Sequence, residues 1–195
     1  MTAMFIVLEG PDGAGTTLHS KLLAEKLVAE GKQVVLTAEP TDGAIGSWIR
    51  GELNRGALPA SALQLLFCAD RAEHVEKVIK PALAEGKFVV SDRYTLSTIA
   101  YGETFGVDRE WLKTINEAFP KPDVTILALP PISVCLERLG RRETRDMFEK
   151  EELQVKIHAA YKKLAEEQPQ IHIVDTGGEK AVGAGVIWDL VRGRL

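Results

Sequence analysis

The run Gly10-Pro11-Asp12-Gly13-Ala14-Gly15-Thr16-Thr17 narrows the choice of fold more than any other part of this chain. It follows an apolar stretch from Met4 to Leu8 and leads straight into Leu18, Leu22, Leu23 and Leu27, which recur at helical spacing. A strand, a glycine-rich turn and a helix in that order make a phosphate loop. The glycines let the backbone curl so that successive N–H groups point inward, and the helix N-terminus adds the positive end of its dipole. Gly10, Gly13, Ala14, Gly15, Thr16 and Thr17 are therefore candidate triphosphate ligands, with the Thr17 hydroxyl placed for Mg²⁺. One residue departs from the pattern: such loops carry lysine before the hydroxyl residue, and here Thr16 stands there. Loss of one preorganised donor of this kind costs about 2.7 to 4 kcal/mol of barrier, so another cation must compensate or the site is weak. Lys21, one helical turn further on, points back from the loop, which leaves the arginines.

Short β-branched runs at Met4–Leu8, Val34–Thr37, Phe88–Val90, Val124–Leu129 and Ile171–Val174 alternate with segments of helical period. That alternation predicts an α/β chain with a three-layer P-loop NTPase fold, a five-stranded parallel sheet flanked by helices. Helices are expected from Leu18 to Gly31, from about Ser61 to Ile79 with a break near Pro81, after the N-cap Asp108, from about Lys150 to Glu167, and after Lys180. The 195 residues, 45% hydrophobic and 27% charged, suit one domain spanning 1–195. A net charge of -4 argues against holding a nucleic acid polymer by phosphate neutralisation. Cys68 and Cys135 lie in apolar stretches away from any metal-ligand spacing and read as buried, reduced thiols. With no secretory leader pattern and no run of about 18 apolar residues, a cytoplasmic protein without membrane contact is expected.

After the third strand comes Asp92-Arg93-Tyr94, at the carboxyl end where open α/β sheets gather their ligands. An aspartate there can orient Mg²⁺ or its water, and an arginine can fork onto an acceptor phosphate and the transferring group. With Glu39-Pro40, Phe67-Cys68-Ala69-Asp70-Arg71, Lys80-Pro81-Ala82-Leu83, the segment from Asp92 to Tyr101 and the arginine-rich stretch before Phe148-Glu149, the chain resembles the thymidylate kinase family over nearly its whole length.

That resemblance implies transfer of a phosphoryl group from ATP to dTMP with Mg²⁺, giving dTDP for dTTP synthesis. Phe67 would stack on the thymine and Arg71, four residues on and on the same helix face, would bond its carbonyl side. Asp12 would approach the acceptor sugar or the magnesium, Ser97, Thr98 and Tyr101 would line the nucleoside pocket, and the tyrosine would crowd the 2′ position. Glu39 matches the glutamate of the family's Arg-Glu-Pro loop, although Ala38 replaces the arginine, and Arg50 matches a basic residue near the acceptor phosphate. Family members keep a catalytic arginine either in the phosphate loop or in a mobile lid. Gly13 fills the loop position, while Arg138, Arg141, Arg142 and Arg145 crowd a lid at about 139–147, so the lid-arginine kind is expected, with Arg141 and Arg142 catalytic beside Asp12 and Arg93 and with Arg138 on ATP. Thr176, in Val174-Asp175-Thr176-Gly177-Gly178, matches the loop that meets the donor adenine through backbone. The family's Leu-Asp-Val strand end reads Ala128-Leu129-Pro130, which drops an acidic group near the metal. The family also implies a homodimer. Two other readings stay open: a monophosphate kinase for another base such as dUMP or dCMP, and a nucleotide-binding module that lost its chemistry with the lysine.

Overall fold

A computed structural model describes residues 3–141 and 150–195. Its five strands, β1 (Phe5–Glu9), β2 (Val34–Ala38), β3 (Phe88–Asp92), β4 (Val124–Ala128) and β5 (Ile171–Val174), are all parallel and lie in the order β2-β3-β1-β4-β5. The described helices are α1 (Thr16–Ala29), α2 (Ala44–Arg55), α3 (Ala60–His74), α4 (Lys80–Ala84), α5 (Thr95–Thr104), α6 (Arg109–Asn116), α7 (Ile132–Gly140), α8 (Glu151–Glu167) and α9 (Lys180–Arg192). Arg142, Arg145 and the rest of 142–149 lie outside the described residues.

The sheet is covered on both faces, which is why its central strands read as unbroken apolar runs. Successive residues of β1 point to opposite sides. Ile6 and Leu8 pack with Val90, Ile126, Leu23, Leu27, Ile187 and Val191 under α1 and α9. Phe5 and Val7 pack with Val89, Tyr94, Val75 and Ile79 on the other side. A third cluster joins α5 and α8 through Ile99, Ala100, Tyr101, Ile157, Tyr161 and Leu164. Cys68 and Cys135 are buried, free thiols, and among the described residues no helix is long and apolar enough to cross a membrane.

Three elements differ from expectation. β3 continues through Ser91 and Asp92, because those polar residues still pair with Val7 and Leu8 of β1 while their side chains meet the site. The helix after Ser61 does not break at Pro81. It widens into a π-helical turn, Val75–Ile79, just before Pro81 and continues as α4. Helix α7 is additional to the expected helices, although Ile132, Cys135, Leu136 and Leu139 recur at helical spacing and Cys135 and Leu139 are buried.

Because β1 and β3 are neighbours with Leu8 opposite Asp92, the turn after one strand and the Asp92-Arg93 pair after the other open on the same edge of the sheet.

Candidate active site

The turn from Gly10 to Gly15 is tightly seated. A Cβ on Gly10 would stand 2.5 Å from the Ala128 carbonyl oxygen, and Gly13, at φ +81°, would bring one within 2.6 Å of the Cys135 carbonyl oxygen. Neither position tolerates a side chain. The Ala14 amide closes the turn onto Pro11 O at 3.1 Å, and no side chain caps the first turn of α1. The N-terminal amides of α1 are thereby left to a ligand.

Thr16, where lysine was expected, is buried, and its methyl folds toward Gly10. Lys21 pairs with Glu25 at 3.9 Å on the exposed side of α1. Two arginines bracket the turn instead. Arg93 donates from Nη1 to Gly10 O (2.9 Å), and Arg138 of α7 donates from Nη1 to Gly13 O (3.1 Å) and from Nη2 to Thr176 O (2.9 Å). Thr176 in turn donates its hydroxyl to Ala14 O at 2.7 Å, so the loop after β5 is stitched to the phosphate turn.

Arg93 takes a left-handed backbone, φ +71°, the one non-glycine in the described chain to do so. Such conformations persist where surroundings enforce them, and they gather at working sites. Its Nη2 donates to Asp12 Oδ1 at 2.5 Å. The other Asp12 oxygen accepts from Tyr101 (2.8 Å) and Gln154 (2.9 Å). Burial works against the Arg93 charge, but the nearby negative charges, Asp12 and Asp92 among them, outweigh it and hold the pKa well above the ordinary arginine value. Burial likewise raises the Tyr101 phenol well above 10.0, keeping it a neutral donor.

Beneath these residues lies Glu9, at the end of β1. Its Oε1 accepts the amides of Tyr94 (2.9 Å) and Leu96 (3.0 Å), capping α5 from another element, while Oε2 accepts the Ser97 hydroxyl at 2.6 Å. Burial pushes the Glu9 carboxyl upward, partly offset by Ser97 and by the charges of Arg93 and Arg71.

A cavity next to Arg93 is lined by Asp12, Glu39, Pro40, Leu53, Gln64, Phe67, Arg71, Tyr94, Ser97, Thr98 and Tyr101. Phe67 and Arg71 share its α3 wall. Arg71 is 1% exposed, and its guanidinium is built in: Nε bonds Glu39 Oε2 (2.9 Å), Nη1 bonds Asn116, and Nη2 bonds Tyr94 O (2.8 Å) and Thr98 Oγ1 (3.0 Å). Both Glu39 oxygens are taken, by Arg71 and by His74 Nδ1 at 3.0 Å, so Glu39 fixes Arg71 in place. Removing one partner from a buried pair like this leaves an uncompensated charge.

Two expected residues stand away from this cluster. Arg50 is tied to Pro40 O (2.9 Å) and does not line the cavity, and Arg141 pairs with Glu137 on its own helix at 2.5 Å with its side chain 75% exposed. Arg142 lies outside the described residues. The residues that sequence reading passed over are Glu9, Gln64, His74, Asn116, Gln154 and Tyr161. Gln154 and Tyr161, seven apart on α8, share a helix face, which is the one signal that pointed to them.

The groups able to hold a metal are Thr17 and Asp92. The Thr17 hydroxyl donates to Asp92 Oδ2 at 2.5 Å, and Asp92 Oδ1 is buried without a partner. One carboxylate and one hydroxyl fit Mg²⁺, which keeps waters and substrate phosphates in its shell, and no three-residue cage of His, Cys, Asp or Glu occurs among the described residues.

His19, on α1 under the turn, is buried with Nδ1 unpartnered. Burial first, and the Arg138 charge second, hold its pKa below 6.5. Between that lowered value and 6.5 the unfolded chain binds more protons than the folded one, so stability should rise with pH across this window. Melting temperatures at about pH 5.5 and about pH 7.5 should differ less in His19→Gln than in wild type. An equal difference would show that His19 does not titrate this way.

Residues 8–182 match the Thymidylate kinase family. The chain is 44% identical over 182 residues to the "Probable thymidylate kinase" of Thermococcus onnurineus, covering 88% of this chain and 89% of that protein. It is 45% identical over 182 residues to the one from Pyrococcus horikoshii, covering 90% and 89%. The "Thymidylate kinase" of a Synechococcus strain is 40% identical over 202 residues, covering 98% of this chain and 97% of its own length. Since the matched span takes in the phosphate turn, Arg93, the Phe67–Arg71 wall and the Thr176 loop, this chain belongs to the thymidylate kinase family.

Proposed function

We propose that this protein transfers the γ-phosphoryl group of ATP to dTMP, releasing dTDP and ADP, with Mg²⁺ as the metal. The observation that carries the reading is Arg93, bonded at once to the phosphate turn through Gly10 O and to Asp12 at the mouth of the aromatic cavity. A cation in that position serves both substrates. Phosphoryl transfer has little covalent chemistry for a protein to perform, so rate comes from alignment and from charge placed on the equatorial oxygens.

In this reading the α1 amides and the Gly10–Thr17 turn hold the donor phosphates. Bound at Thr17 and Asp92, Mg²⁺ would offset charge on the donor phosphates. Phe67 stacks on the base, worth about 1 to 3 kcal/mol without regard to which base it is. Directional contacts must then choose the base, and Arg71, Thr98 and Gln64 are the polar groups placed beside Phe67. Tyr101, held against Asp12, crowds the sugar and favours a deoxyribose. A homodimer in the cytoplasm is part of the proposal, supported by exposed Trp48 and Leu65 on α2 and α3, the helices beside the cavity.

Nucleoside diphosphate formed from ATP, Mg²⁺ and either dTMP, dUMP or dCMP tests this directly. The highest kcat/KM is expected for dTMP, from a species of twice 21.3 kDa by light scattering. Turnover of dCMP above dTMP would sink the assignment of substrate.

A further inference from the structure

Gln64 lies on α3 one turn before Phe67, is 1% exposed, and lines the same cavity as Phe67, Arg71, Thr98 and Tyr101. Neither its Oε1 nor its Nε2 has a hydrogen-bond partner. Its chain is pinned from behind, since a Cβ on Gly102 of α5 would stand 3.2 Å from Gln64 Cγ. A buried carboxamide with nothing to bond costs stability, so one left at a cavity wall fits a ligand that completes it.

We propose that Gln64 reads the edge of the pyrimidine ring, a role that rests on the dTMP reading above. The argument is one of supply. A thymine or uracil edge presents a donor, N3–H, between two carbonyl acceptors. Arg71 offers donors only, and four of its five N–H groups are committed to Glu39, Asn116, Tyr94 and Thr98. Both Glu39 oxygens bind Arg71 and His74, and both Asp12 oxygens bind Arg93, Tyr101 and Gln154. The Ser97 hydroxyl donates to Glu9, and the Thr98 oxygen already accepts from Arg71. Among the described lining side chains, Gln64 and the Tyr94 hydroxyl have acceptors without a partner, and of the two only the Gln64 carboxamide sets an acceptor, Oε1, beside a separate donor, Nε2. Oε1 takes N3–H while Nε2 donates to a flanking carbonyl, a two-point match to the imide. Cytosine, whose N3 is an acceptor, loses that match unless the amide turns over, and the last Arg71 N–H then faces an amino group in place of a carbonyl.

The test uses Gln64→Leu and Gln64→Met, which keep bulk and remove both polar atoms. In both variants the KM for dTMP and for dUMP should rise by about tenfold with kcat within about twofold of wild type, while the KM for dCMP moves less. The ligand-free melting temperature should hold or rise, because an unsatisfied polar group has been removed, and the increase in melting temperature on adding dTMP should shrink. A structural glutamine would behave the other way, lowering the ligand-free melting temperature in both variants. That result, or an unchanged KM for dTMP, overturns the proposal while leaving the kinase reading intact. Wild-type protein that neither turns over dTMP nor gains stability from it overturns both.

Discussion

Arg93→Gln is expected to lower kcat by about 10³-fold or more, the scale on which transferring-phosphate arginines act. Among the described residues Arg93 alone bonds both Gly10 O and Asp12, and the carboxylates of Asp12 and Asp92 hold its charge against burial. Glutamine keeps a hydrogen-bonding head group but is shorter and supplies no charge. Lysine should recover little, because an ammonium cannot reach Gly10 O, Ser97 and Asp12 in one fork. The left-handed backbone provides an internal control: Arg93→Gly relieves a strain of about 1 kcal/mol and should melt higher than Arg93→Gln, yet be as inactive. Steady-state rates within about tenfold of wild type for Arg93→Gln would remove this residue from the chemistry.

The second large effect is expected at Arg138. Thr16 supplies no charge, and the guanidinium over the other flank of the turn is that of Arg138, whose Nη1 lies 3.7 Å from where a Gly15 Cβ would stand. Two of its five N–H groups go to Gly13 O and Thr176 O, leaving donors for a phosphate. Arg138→Ala should therefore reduce kcat/KM for ATP by about 10²- to 10³-fold, as when a charge-stabilising donor is lost. If Arg138 stands in for the missing lysine, Thr16→Lys should gain little in wild type and restore much of the rate in Arg138→Ala. A large gain from Thr16→Lys with Arg138 intact would mean that the turn is under-supplied with charge as it stands. Equal rates for wild type and Arg138→Ala would assign the compensation elsewhere.

The strands and the phosphate turn were legible because their signal is local. β-branched runs and a contiguous glycine pattern need no knowledge of the rest of the chain. Arg93 is readable from its place after β3, whereas Phe67 and Arg71 are singled out through the family resemblance, and the structure brings all three to one cavity. Glu9 was not, although it precedes Gly10: its work is to cap α5, which begins at Thr95, and no periodicity encodes such a contact. Glu39, after β2, and Asn116 of α6 hold Arg71 from outside its own helix while His74 braces Glu39, and Arg71 accordingly proves more deeply committed than a residue free to greet a base. Lys21 shares the Thr17 face of α1, and it is the pairing with Glu25, one turn further from the loop, that draws it away from the phosphate turn.

The pairing of Leu8 with Asp92 makes the sheet a ruler. What separates the phosphate turn from Arg93 is one rung of backbone hydrogen bonds between adjacent strands. Deleting a residue within β1 or β3 would slide one half of the reaction about 3.3 Å past the other and turn the inward side chains outward. Surface connections elsewhere in the chain can lengthen or shorten without touching that distance.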